Sequence, residues 1–317
     1  MSRTMLVHMQ VLMTGGPMGL FKHIVVGTDF SQQADVAVQE AVYLARQHEA
    51  KLSILHVIDE RAVNYQESLP LSPEEFETLL AQEAKRTLFE TFGEDSLNSV
   101  DIKTIAMFGR PQYELSSYCQ SNDVDLVVAG RRGDSPLKQV LLGSTAEKLM
   151  RQSPIPTLLV AHPEANGFKN VLAPVDGSEA SRDALQYAVD FAKASGANLH
   201  ILYVCESLPI SPLISPHLTS PKEKLFGSYE EQMKEAFDEF LEDFDFGDFT
   251  YEAHFKVGKP AFEIVNAADS LETDLVIMGT VGRSGIAGLF IGNTAERVSR
   301  SLSCSILTVR PSEASSE

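Results

Sequence analysis

GRRGDSPLKQVLLGSTAE, running from Gly130 to Glu147, returns in altered form as GTVGRSGIAGLFIGNTAE from Gly279 to Glu296. A short apolar run ending in glycine precedes each copy, VDLVVAG before the first and TDLVIMG before the second. Each copy then reads Gly, two residues, Gly, nine residues, Gly and a small polar residue that opens a helix-like segment. The order is strand, flexible loop, helix N-terminus. Glycine lets backbone N–H groups approach an anion without a Cβ in the way, and the helix beyond adds unpaired N–H groups and the positive end of its dipole. Phosphate is the guest such a loop suits. Ser144 with Glu147, and Asn293 with Glu296, also have the spacing of capping boxes, which would serve helix stability alone at about 1 kcal/mol per cap.

Outward from the first loop, the chain alternates strand and helix. KHIVVGTDFS, Lys22 to Ser31, reads as a buried strand that ends in Gly27, Thr28 and Asp29. Ala34 to Glu49 then reads as a helix, Lys51 to Asp59 as a strand and Pro73 to Phe92 as a helix. Val100 to Phe108 is a third strand, Gln112 to Ser121 a helix and Asp125 to Gly130 a fourth strand. After the glycine loop come a helix, Thr145 to Gln152, and the strand SPIPTLLVA, Ser153 to Ala161, whose prolines confine it to an edge or a strand start. Such alternation predicts a parallel, doubly wound sheet.

The second half repeats the first. Asp29 aligns with Asp176, Ser31 with Ser178 and His56 with Tyr203 at an offset of 147. Gly109, Pro111, Gly130 and Gly143 align with Gly258, Pro260, Gly279 and Gly292 at 149. The offset changes only within the variable middle region, so a whole domain is duplicated. The expected layout is a disordered extension over 1–20, a first domain over 21–161, a linker over 162–168, a second domain over 169–310 and a disordered tail over 311–317. In the second middle region, Pro209, Pro212, Pro216 and Pro221 argue against regular structure over 206–222. Ser228 to Phe244 reads as an acidic amphipathic helix with Met233, Phe237, Phe240 and Phe244 on its apolar face.

An Asp after the first strand, Gly-x-Pro before the third helix, and the spaced glycines followed by a small polar residue together resemble the universal stress protein family, over about residues 20 to 310. Two copies in one chain resemble its tandem members, and the second half is similar to the C-terminal domain of the E-type tandem proteins. The resemblance implies an α/β fold of two tandem doubly wound domains, each a five-stranded parallel sheet in the order 3-2-1-4-5 flanked by helices. Ligands in such sheets sit at the carboxyl ends of the strands, near the switch in strand order. The resemblance further implies that the last strands, Thr157 to Val160 and Ile306 to Val309, pair the two domains within one chain, with a homodimer of the whole chain as a further assembly.

By the same resemblance, ATP would contact Asp29 and Val57 at its adenosine end, and Gly130, Arg132, Gly133, Gly143, Ser144 and Thr145 at its ribose and phosphates. Mg²⁺ would ride on the phosphates without a protein cage. A carboxylate accepts hydrogen bonds from adenine or ribose, arginine neutralises phosphate, and hydroxyl and N–H groups donate to it. Two residues depart from the family pattern: Gly27 stands for a frequent Pro, and Phe30 for the Gly of Asp-Gly-Ser. The second-domain candidates are Pro174, Asp176, Val204, Gly279, Gly282, Gly292, Asn293 and Thr294, but Val281 stands opposite Arg132 and Asn293 replaces the serine. ATP is therefore expected in the first domain.

The leading expectation is a cytoplasmic stress-response protein that binds ATP without catalysis and acts through contacts with protein partners that the sequence does not name. Beside the phosphate loop, no His is paired with a Ser or Cys and no carboxylate pair is placed for metal-assisted transfer. One alternative is a slow ATPase or phosphotransfer enzyme in which Asp29 or Asp176 positions water. Another is an apolar ligand in the second domain, whose loop carries Ile286, Ala287, Leu289, Phe290 and Ile291.

A formal charge of −18 argues against a nucleic-acid partner and against an anionic membrane surface. No run approaches the ~20 apolar residues that span a bilayer. Cys119, Cys205 and Cys304 form no CxxC pair, suit a reducing compartment and read as buried small hydrophobes. His23, His56 and His200 fall in or beside strands; His162, His217 and His254 are scattered, and no metal site is expected from their spacing.

Overall fold

The computed structural model describes residues 19–59, 72–93, 97, 100–131, 142–162, 167–206, 220–281 and 291–310. In the first half the elements are β1 His23–Thr28, α1 Gln32–Gln47, β2 Lys51–Asp59, α2 Pro73–Phe92, β3 Ile102–Gly109, α3 Pro111–Ser121, β4 Leu126–Gly130, α4 Ser144–Gln152 and β5 Thr157–Val160. In the second they are β6 Asn170–Val175, α5 Glu179–Ser195, β7 Asn198–Cys205, α6 Ser220–Glu242, β8 Glu252–Val257, α7 Pro260–Ser270, β9 Leu275–Gly279, α8 Asn293–Ser301 and β10 Ser305–Val309.

The strands form a single ten-stranded sheet in the order β3-β2-β1-β4-β5-β10-β9-β6-β7-β8. Each half keeps the expected 3-2-1-4-5 order, and the halves meet where β5 and β10 pair antiparallel, Leu158 opposite Leu307 and Leu159 opposite Ile306. Pro154 and Pro156 precede β5, so this strand bonds fully to β4 on one side and to β10 on the other. Strands covered on both faces read as unbroken apolar runs. Leu126, Val127, Val128 and Ala129 of β4 are all buried, as are Leu275, Val276, Ile277 and Met278 of β9.

Alternation along the strands divides this apolar content between two cores, each continuous across the seam. On one face Ile24, Val26 and Ile54 pack with α1, α5 and the aromatic face of α6, where Phe237 and Phe240 are buried and Met233 packs against them. On the other face Val25, Leu55 and Leu159 pack with α3, α4, α7 and α8. α6 ends at Glu242, so Phe244, read as the last turn of that helix, is buried just beyond it. Phe168, within the segment read as a linker, is also buried, 5.8 Å from the Phe191 ring. No helix among the described residues is long and apolar enough to cross a membrane.

All strands within a half are parallel while the seam is antiparallel, so the carboxyl ends of the two halves point in opposite directions along the sheet.

Candidate functional site

At the carboxyl ends of β1, β2 and β4, where the strand order switches, lies a cavity of about 330 Å³. That volume falls in the small-molecule range. Its lining includes Asp29, Val57, Gly130, Gly143, Ser144 and Thr145, so six of the eight first-domain candidates share one cavity. Arg132 and Gly133 lie outside the described residues. Pro111 and Leu115 of α3 add an apolar wall. The Gly-x-Pro motif marks this helix in the sequence, but only the packing of α3 against β1 and β2 shows that it borders the cavity.

The exit of β1 is a chain of short hydrogen bonds. The Ser31 N–H donates to Asp29 Oδ1 at 3.0 Å, and Ser31 Oγ caps α1 by accepting the Ala34 N–H at 3.2 Å. The helix cap is thus the serine, and Asp29 orders it. Phe30 between them stands in the left-handed region at φ 60°, donates its N–H to Thr28 Oγ1 at 3.1 Å and lays its ring 4.7 Å from that of His56. His56 Nδ1–H donates to the Thr28 carbonyl at 3.0 Å.

Opposite, α4 opens without the capping box that Ser144 and Glu147 suggest. Gly143 takes the extended cap conformation, φ −60° and ψ 148°, and among the described residues no side chain caps the helix. Ser144 is then the first helical residue, and Glu147 is one place too far along to reach back. The same holds for α8, where Gly292 is the cap at φ −76° and ψ 151° and Asn293 makes no cap bond. A complete capping box does form elsewhere, between Ser72 and Glu75 at the start of α2.

The two glutamates serve the seam instead. Glu147 lies 3.1 Å from Arg300 of the other half, and Glu296 lies 2.9 Å from Arg151. Each also bonds the arginine four residues on, at 3.2 Å and 3.0 Å, which closes a four-membered ring of charge across α4 and α8.

Arg131 was not singled out by its sequence context, beside Arg132. Its buried guanidinium crosses the seam and donates to the Ser299 carbonyl at 2.9 Å and the Cys304 carbonyl at 3.4 Å. Its own carbonyl accepts the Gly143 N–H at 2.9 Å, which ties together the two ends of the glycine loop. The matching bond in the second half runs from the Gly292 N–H to the Thr280 carbonyl at 2.7 Å.

In the second half, Asp176 Oδ1 accepts both the N–H and the hydroxyl of Ser178, at 3.0 and 2.6 Å, and Gly177 takes φ 80°. Pro174 is buried in β6, and Val204 near the end of β7 is half-buried. A Cβ on Gly279 would sit 3.1 Å from the Ala180 carbonyl oxygen, so close packing on α5 accounts for this glycine without a ligand. Gly292, Asn293 and Thr294 open α8, while Gly282 and residues 286–290 of the apolar loop lie outside the described residues.

His200 and His254, distant in sequence, meet across β7 and β8 with ring nitrogens 3.2 Å apart. Burial pushes the thiols of Cys119 and Cys304 up to about 12 and about 11, so both are unreactive small hydrophobes.

Sequence comparison matches the chain twice to the Universal stress protein family, over residues 20–161 and 167–310. The chain is 27% identical over 310 residues to the Universal stress protein E homolog of Haemophilus influenzae, covering 92% of this chain and 98% of that one. It is 26% identical over 314 residues to Universal stress protein E of Escherichia coli K12, covering 93% and 96%. Among solved structures, a functionally unknown protein, PA1789, from Pseudomonas aeruginosa PAO1 has the same fold, with a TM-score of 0.67 at 22% identity over 93% of this chain and 94% of that one.

Proposed function

The chain belongs to the universal stress protein family as a tandem member with two copies of the domain, and from that premise we propose that it is a cytoplasmic stress-response protein whose first domain binds ATP without catalysis and whose occupancy alters its contacts with other proteins. The observation that carries this reading is the start of α4. Its first N–H groups border the cavity and, among the described residues, receive no side-chain cap, beside the hydroxyls of Ser144 and Thr145. Uncapped N–H groups at the positive end of a helix dipole suit a phosphate. Asp29, across the cavity, suits the hydroxyl and amine donors of a nucleoside. Mg²⁺ would arrive on the phosphates, since Asp29 is the one carboxylate in the described lining.

Calorimetric titration of the full chain with ATP and Mg²⁺ tests this. Binding of a single class is expected, weakened at least about tenfold, or ~1.4 kcal/mol, in Gly143→Val. The backbone at Gly143 is open to any L-residue, so that loss would report a blocked cavity and not a broken turn. ATP recovered intact after hours with the protein is expected; release of ADP would replace this reading with that of a slow ATPase. No binding by the intact chain would remove the nucleotide altogether.

A further inference from the structure

The far edge of the second half carries a constellation that the nucleotide reading leaves unused. In the parallel register of β7 and β8, His200 stands opposite Glu252 and Leu202 opposite His254. Side chains two apart on a strand share a face, so all three polar residues project from the same side of the sheet. His200 Nδ1 lies 3.2 Å from His254 Nε2 and 3.5 Å from Glu252 Oε2, and His254 Nε2 lies 3.9 Å from that oxygen. His200 is buried, His254 half-buried and Glu252 open to water.

These separations fit a shared cation. Tetrahedral bonds of ~2.0–2.1 Å to imidazole nitrogen and carboxylate oxygen place ligand atoms about 3.3–3.4 Å from one another. A hydrogen bond between the two rings accounts for the 3.2 Å contact alone, whereas a shared cation also accounts for the carboxylate oxygen standing within 3.9 Å of both nitrogens. The fold does not demand these residues, because the equivalent positions of the first half hold Ser53, Lys103 and Ile105, with Ser53 again opposite Lys103 in register.

We propose that His200, Glu252 and His254 bind a borderline divalent transition cation, Zn²⁺ being the representative, with water completing the coordination on the exposed side. The site is independent of the nucleotide reading. Its ligands span β7 and the edge strand β8, which among the described residues has no partner on its outer side. The cation therefore fastens the last strand of the sheet to its neighbour.

The test is calorimetric titration of the metal-stripped full chain with Zn²⁺ and, separately, with Mg²⁺, in the absence of nucleotide. Saturable Zn²⁺ binding without Mg²⁺ binding is expected, weakened at least about tenfold in His254→Ala and in Glu252→Gln. His200 is buried, so its removal could unfold the edge; the other two variants keep the test independent of folding. Co²⁺ loaded in place of Zn²⁺ is expected to show visible bands of a tetrahedral nitrogen and oxygen site without sulfur-to-metal absorption, which would separate it from the three cysteines. Failure of the intact chain to bind Zn²⁺, binding unchanged in both variants, or sulfur-to-cobalt absorption would each overturn the proposal.

Discussion

Phe30 and Gly177 occupy equivalent turns, both at positive φ, 60° and 80°. For a residue with a Cβ this conformation costs about 1–2 kcal/mol. The ring contact with His56 offsets part of that cost in the first half. Phe30→Ala loses the ring and keeps the strain, whereas Phe30→Gly loses both. The glycine variant is therefore expected to be more stable than the alanine variant by about 1 kcal/mol in urea unfolding. Equal stability would show that the turn relaxes without penalty. The sequence marks Phe30 as a departure from Asp-Gly-Ser; that it adopts the glycine conformation anyway depends on the strand and helix on either side. A second single residue sets a pH dependence. His48 Nδ1 accepts the Leu20 N–H at 3.2 Å, with the Phe21 ring edge-on at 4.9 Å, and burial holds its pKa below 6.5. The unfolded chain then binds more protons than the folded one just below that pH. The stabilising contribution is complete above pH 6.5 and is lost as the pH falls from there through the depressed folded value. The unfolding midpoint is expected to drop from neutral to mildly acidic pH, and to drop less in His48→Gln.

At the scale of elements, α4 and α8 show where sequence patterns mislead. The spacing of Ser144 and Glu147 is that of a capping box, but which residue becomes the cap is decided by which one takes the extended conformation, and that is Gly143. A shift of one place turns the glutamates from caps into seam residues. Nothing local in the sequence reveals this, since Arg300 and Arg151 come from opposite halves of the chain. The ring they form with Glu147 and Glu296 is about one-third exposed, so solvent screens it and each pair is worth little alone. A double-mutant cycle on Glu147→Gln and Arg300→Gln is expected to give a coupling of about 0.5–1 kcal/mol that shrinks in high salt. The boundaries of α2 and α1 were more legible: α2 runs from Pro73 to Phe92 as its pattern indicates, and α1 starts two residues ahead of Ala34 because Ser31 caps it. The start of α6 was not, since the helix begins at Ser220, eight residues before Ser228 and inside the stretch 206–222 read as irregular; Pro221 falls in its first turn, where the missing N–H breaks no helical bond.

For the whole molecule, the alternation of strands and helices and the duplication were legible because apolar runs and a nearly constant offset are properties of the chain itself, whereas the strand order was what the family resemblance implied. Asp29 and Val57 were carried over by the resemblance, and that Gly130, Gly143, Ser144 and Thr145 lie together was legible because their motif sits on one strand–loop–helix path. Arg131 and the His200–His254 contact were not, because each depends on where a distant strand or helix arrives. The same scale governs association. Val160 and Asn170 are separated by residues 161–169, which keep β10 close to β5. A first half expressed alone as residues 19–162 would present β5 with an apolar, unpaired outer side. It is expected to run as a dimer in size-exclusion chromatography with light scattering, while the full chain shows no dimer formed through that strand. A monomeric first half would show that the seam needs the particular side chains of β10.

Joining the halves in one chain also changes how they can vary. In an assembly of identical chains, every substitution is imposed on both partners at once, and a change useful at one end is inherited by the other. Here Phe30 faces no obligation to match Gly177, nor Ser53 to match His200. With the carboxyl ends of the halves pointing apart, a substitution at one end is not copied to the other, so selection can act on either end without burdening its twin.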